Sequence, residues 1–153
     1  MVETQSATEH FIEQMGLITQ ADGGPRIAGR IVGLLIAEGR AFSLGEMAER
    51  LKISKASAST NARMMASSGM IRQTSRAGDR QDYYELGEDP YSRMMERVST
   101  RMRAIATTVR NAEARFTDGE DEGVRTRVRE LAEFYALSAD FLAGWANHPV
   151  SKD

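Results

Sequence analysis

The sequence predicts a mainly α-helical fold with one small β-hairpin, and three observations predict it. Apolar residues recur at steps of three and four through most of the chain, as in helices with one buried face. The stretch 70–86 breaks that rhythm and reads as two short β-prone runs divided by Gly78-Asp79. Between 43 and 68, two short helices meet at a tight turn, Lys52-Ile53-Ser54. Helix, turn, helix and hairpin in that order make a winged helix-turn-helix, with further helices before and after it.

Each of these elements has a local cause. Ser43 followed three residues later by Glu46 forms a capping box, in which each side chain satisfies a backbone N–H left unpaired at a helix start. Leu44, Met47, Ala48 and Leu51 then form that helix's core face. Ile53 faces the core, and Ser54 caps a second helix that runs to about Ser68 with Ala58, Ala62 and Met65 on its inner side. Gly69 ends it, and Met70 and Ile71 return to the core. Strands are expected at 70–76 and 81–86, joined by Ala77-Gly78-Asp79-Arg80 with Gly-Asp as the turn pair.

The outer face of the second helix carries Lys55, Ser57, Ser59, Thr60 and Arg63, and the helix has no acid. Short hydroxyls bracketed by cations suit a nucleic-acid groove, where they reach base edges and phosphates from close range. Arg76 and Arg80 fall near the hairpin tip, where a wing meets the adjacent backbone or minor groove. Asp79 either forms the turn or holds a neighbouring arginine. Arg30, Lys52 and Arg72 are secondary candidates for phosphate contact, with Arg40 at the edge of the same face; ordinary salt bridges would explain Arg30 and Arg40 equally well. From 52 to 80 there are six basic residues and one acid, in a chain of net charge −2, so the remainder stands at −7. A basic face on an acidic body favours one defined docking surface over indiscriminate coating of nucleic acid.

The run Gly29-Arg30-Ile31, Ser54-Lys55, Asn61-x-Arg63 and Gly78-Asp79-Arg80-x-Asp82-Tyr83-Tyr84-Glu85 resembles the GbsR-type branch of the MarR-like transcriptional regulators. The resemblance spans roughly residues 10 to 90, and the wing is its most specific part. It implies a dimeric regulator of operator DNA, in some members responsive to a small ligand. Two positions depart from the pattern: Lys52 stands where glycine is common, and Gln81 replaces a basic residue. A left-handed Lys52 would cost roughly 1 kcal/mol.

Elsewhere the chain is helical. Residues 1–8 are polar and expected to fray, and a short helix over 9–19 offers Phe11, Ile12, Met15 and Leu17 or Ile18 to a neighbour. Pro25 is expected at the first position of the next helix, whose buried stripe is Ile27, Ile31, Leu34 and Leu35; Gly39 stops it. Gly29 and Gly33 form a small face for close helix packing. Ala41-Phe42 is expected to add a strand to the wing sheet.

After Pro90 comes a long helix with a stripe of Tyr91, Met94 or Met95, Val98, Met102, Ile105, Val109, Ala112 and Phe116. Thr117-Asp118-Gly119 breaks it. A last helix over about 120–147 shows Val124, Val128, Leu131, Tyr135, Ser138, Leu142 and Trp145, widened by Phe134, Leu137 and Phe141. That stripe is broader than one facing helix covers, which predicts a homodimer through the terminal helices. Phe116, Phe134, Tyr135 and Trp145 could box a cationic or apolar small-molecule effector, and dimer core explains the same rings.

The expected organisation is an arm and dimerisation helix at 1–24, a DNA-binding domain at 25–88, a helical dimerisation region at 89–147 and a tail at 148–153. There is no cysteine, so neither a disulfide framework nor a thiolate metal site can form. His10 and His148 sit at opposite ends without metal-ligand spacing, and no phosphate loop or nucleophile motif occurs. No cofactor, metal or catalytic residue is expected, the chain does not read as an enzyme, and its simplest home is the cytoplasm. The expected function is a homodimeric, sequence-specific transcriptional regulator binding double-stranded DNA, a repressor released by an effector. The alternative is a winged-helix module whose same surface meets an acidic protein.

Overall fold

The computed structural model describes residues 5–117 and 122–148, and the chain divides between Pro90 and Tyr91 into two units. The first unit begins with α1 (Ala7–Ala21), two residues earlier than the apolar pattern alone implies, because the Ser6 hydroxyl accepts the Glu9 N–H at 3.1 Å. Ile12 and Gly16 turn inward, whereas Leu17 and Ile18 are exposed, contrary to the expected contact face. α2 (Arg26–Glu38) starts after Pro25, which is the N-cap rather than the first helical residue. Gly39 ends α2 in the left-handed conformation at φ 64°.

α1 lies close against α2 because glycines line the crossing. A Cβ on Gly29 would overlap the Met15 carbonyl oxygen and the Thr19 hydroxyl, so only glycine allows this approach. Ion pairs fasten the same elements: Glu13 meets Arg26 and Arg30, each at 2.8 Å. Those two guanidinium groups hold the Glu13 carboxyl below its ordinary pKa, the Arg26 hydrogen bond being the largest cause.

β1 (Phe42–Ser43) pairs antiparallel with β3 (Tyr83–Leu86), which pairs with β2 (Ile71–Thr74), giving a three-stranded sheet in the order β1-β3-β2. α3 (Leu44–Leu51) opens with both bonds of the expected capping box: Glu46 N–H to the Ser43 hydroxyl at 3.1 Å, and Ser43 N–H to the Glu46 carboxylate at 2.7 Å. Lys52 caps α3 in the left-handed conformation at φ 55°, so the departure from glycine carries its conformational cost. α4 (Lys55–Ser67) follows, with Ala58 and Ala62 fully buried. Their small side chains let α4 lie close in the core of Ile12, Ile31, Leu34, Leu35, Phe42, Met47, Leu51 and Ile71.

In the second unit, α5 (Pro90–Glu113) and α6 (Glu122–Ala146) run antiparallel, tied by the Ser99 hydroxyl donating to the Ala139 carbonyl at 2.8 Å. Arg103 pairs with Asp140 at 3.0 Å and Arg129 with Glu113 at 2.9 Å, which sets the register. The seam differs from the expected stripe. Its buried residues are Ser92, Ser99 and Ala106 on α5 and Ala132, Ala139 and Ala146 on α6, each set seven residues apart. Val98, Met102, Ile105 and Val109 are only half-buried, while Leu131, Phe134, Leu137, Phe141 and Trp145 are exposed. Of the expected break, Asp118 and Gly119 lie outside the described residues.

Candidate nucleic-acid interface

α4 presents its outer face because its inner one is consumed by the core. Ser54 caps it by accepting the Ser57 N–H at 3.0 Å, and Asn61 donates to the Ser57 carbonyl at 2.9 Å, so both act within the helix. Lys55, Thr60 and Arg63 are exposed, and Ser57 and Ser59 half-exposed. Among the described residues, the Lys55, Arg63 and Arg80 side chains make no hydrogen bond or ion pair, and the hydroxyls of Ser57, Ser59 and Thr60 make no hydrogen bond. That leaves their donors free for a ligand.

The wing stands beside this face. Lys55 of α4 and Arg80 of the wing line a groove of about 260 Å³, together with Leu44 and Gly45 at the start of α3 and Gln81 and Asp82. Two cations from different elements thus border one hollow, an arrangement suited to an anionic backbone. The wing connection is longer than the tight hairpin expected. The Asp79 N–H bonds the Arg76 carbonyl at 3.1 Å, placing Ala77 and Gly78 at the centre of the turn with Gly78 at φ 77°. Gly-Asp is therefore not the central pair, because the turn starts one residue earlier and uses glycine's positive φ at its third position.

Several candidate cations have internal partners. Arg30 is mostly buried, pairs with Glu13 and donates to the Leu51 carbonyl at 2.9 Å, so it links α1, α2 and α3. Arg72 pairs with Glu85 at 2.8 Å across the β2 and β3 register. Arg40 lies over the Phe42 ring, 3.6 Å from its centre, and reaches Glu46 at 3.6 Å. Lys52 stays exposed at the turn. Arg50, which the sequence reading passed over, joins Glu9 and Glu38 and so clamps α1, α2 and α3 together. Its signal in the sequence was only a cation at the end of a short helix.

Asp79 does not hold an arginine by an ion pair. Its carboxylate accepts the Tyr83 hydroxyl at 2.7 Å and the Gln81 N–H at 2.9 Å, and these two bonds, the tyrosine's first, keep its pKa below the ordinary value. Glu46 is lowered chiefly by the Ser43 N–H at the cap. The four aromatics named for an effector do not converge within one chain. Phe134 and Tyr135 meet edge to face at 5.3 Å, but Trp145 lies eleven residues further along α6, ~16 Å at the helical rise. Among the described residues, no group of three or more His, Asp or Glu could hold a metal, and no helix is long and apolar enough to cross a membrane.

Two helices joined by a tight turn, a three-stranded sheet and an exposed basic helix face define the winged helix-turn-helix class. Comparison with known proteins finds relatives named as helix-turn-helix transcriptional regulators. The chain is 37% identical over 83 residues to the HTH-type transcriptional regulator MmpR5 of Mycobacterium tuberculosis, covering 54% of this chain and 50% of that protein. It is 28% identical over 87 residues to the HTH-type transcriptional repressor OpcR of Bacillus subtilis, covering 57% and 47%. A solved transcriptional regulator superimposes with a TM-score of 0.82 at 25% identity, over 93% of this chain and 97% of that one. The chain spans about half the length of the curated relatives it matches. No protein-family model matches it.

Proposed function

We propose that this chain is a homodimeric transcriptional regulator of the GbsR-type, MarR-like kind that binds duplex DNA by sequence and represses. The observation that carries the reading is the free, acid-free outer face of α4 beside an arginine-bearing wing. DNA needs such a face, and a protein partner merely tolerates one. Lys55, Ser57, Ser59, Thr60 and Arg63 enter the major groove; Arg76 and Arg80 meet the flanking backbone or minor groove. Arg30 and Arg72 serve the fold instead, because their charges are already paired.

The second copy is drawn by α6. One side of that helix is closed by α5 through small residues, and the other carries Leu131, Phe134, Leu137, Phe141 and Trp145 in the open. An apolar face of that size at helical spacing suits a twin of itself, since a twofold contact buries the same patch on both copies. Any effector site built from these rings has to be completed by that contact. The sequence similarity to a relative named as a repressor supports the sense of regulation.

Selection of bound sequences from random duplex tests the reading. The expected result is a palindromic consensus with half-sites about one helical turn, ~34 to 36 Å, apart. Recovery of no enriched sequence would remove the claim of specificity, and a single unsymmetrical site would remove the dimer.

A further inference from the structure

The wing connection, residues 75–82, lies outside both strands, yet a chain of contacts ties it to the sheet. Tyr83 is only 6% exposed and sits in β3 between Ser43 of β1 and Thr74 of β2. Its hydroxyl donates to Asp79, whose other oxygen takes the Gln81 N–H. Over its ring lies Arg76, the guanidinium carbon 4.0 Å from the ring centre. Among the described residues, no carboxylate comes within ion-pair distance of Arg76, and both Asp79 oxygens bond to other groups. The difference matters chemically. A carboxylate would occupy the guanidinium's N–H donors, whereas a ring face holds the plane and leaves the donors at its edge free.

We propose that Tyr83 is a positioning residue for DNA binding: its ring presents Arg76, donors free, to a backbone phosphate, and its hydroxyl, through Asp79, holds the turn that carries Arg80. The inference rests on the DNA-binding reading above and explains how the wing is made rigid without neutralising its charge. Tyr83 touches no nucleic acid in this scheme and acts through the arginine.

Fluorescence anisotropy of the full chain on a duplex recovered by selection, at fixed moderate salt, provides the test. Tyr83→Leu is expected to weaken binding about two- to fivefold, the equivalent of a cation held over a ring at an exposed site. Arg76→Ala weakens it further, and the double variant no further than Arg76→Ala. Tyr83→Phe keeps the ring and loses the hydroxyl; combined with Asp79→Ala it should cost no more than either change alone. In the free protein, the Arg76 side-chain resonances should lie upfield from the ring current in wild type and Tyr83→Phe, a signature that stands even where the leucine variant does not fold. Additive losses in both pairs of variants, or unshifted Arg76 resonances in wild type, would overturn the proposal while leaving DNA binding intact. Failure of the wild type to bind duplex would overturn the DNA reading and this inference with it.

Discussion

In the unit ending at Pro90, the side chains that disappear from solvent are large: Ile12, Ile31, Leu34, Phe42 and Met47 close upon one another. In the helical pair that follows, the side chains that disappear are serine and alanine, while Phe134, Leu137 and Phe141 stand 60%, 70% and 73% exposed. The first unit closes most of its apolar surface on its own chain, leaving Leu17, Ile18 and Met64 exposed. The second satisfies only the seam between α5 and α6, where small residues let two helices approach, and leaves its bulk for something else. The proposed reading surface and the proposed dimer surface thus lie in different units, and each can be damaged alone.

The largest expected effect breaks the second half of that contrast. Phe134→Glu with Phe141→Glu should shift the protein from dimer to monomer in sedimentation analysis. A symmetric contact buries four such phenylalanine side chains, two from each copy, worth about 6 to 12 kcal/mol, so the dissociation constant should rise by about 10⁴ fold or more. A wild type that sediments as a monomer at tens of micromolar would end the dimer proposal. Next comes Gly29→Ala, which forces α1 from α2 and should lower stability by about 1 to 3 kcal/mol, less the gain of up to ~1 from helix propensity. Thermal unfolding followed by circular dichroism measures it, and an unchanged midpoint would mean that the crossing is looser than described.

Two smaller effects sharpen the picture of the first unit. Lys52→Gly relieves a left-handed lysine and should raise stability by up to ~1 kcal/mol in urea titration, and a loss would show that the lysine stem earns its place by packing. Acid sensitivity should follow the carboxylates whose folded pKa is depressed. For Glu13 and Glu46, both below their ordinary 4.5, the stabilisation is fully present above that value and is lost as pH falls through the folded pKa. Glu46→Gln should therefore flatten the decline of stability below pH 4.5. An unchanged slope would assign the acid response elsewhere.

What could be read in advance was local chemistry. Ser43 with Glu46, Ser54, Gly39 and the Ala58 and Ala62 pair each act within a turn or two of chain, and the structure places them as their chemistry requires. The candidate face of α4 was legible for the same reason. What escaped was choice among competing partners. The spacing of α5 and α6 points to a seam of large residues with an excess on α6 for a second copy, but the same helices carry a second stripe of small residues seven apart, and close approach favours that one for the seam. Spacing puts Leu17 or Ile18 inward, but Gly16 marks the crossing and both are exposed. Arg72 looks free in the sequence because its partner Glu85 lies 13 positions away, and for Arg30 the salt-bridge alternative holds, with Glu13 as a partner 17 positions away that spacing alone does not name. The ring beneath Arg76 depends on cross-strand register, which spacing alone does not give.

The central claim, that α4 and the wing form a phosphate-neutralising reading surface, is tested most directly by salt titration of duplex binding. For six to ten phosphates neutralised per dimer, affinity should fall roughly 10³ to 10⁵ fold between 50 and 200 mM salt, and the combined Lys55→Gln, Arg63→Gln and Arg80→Gln variant should show a much shallower slope. A flat wild-type response, or a variant with the wild-type slope, would contradict the account.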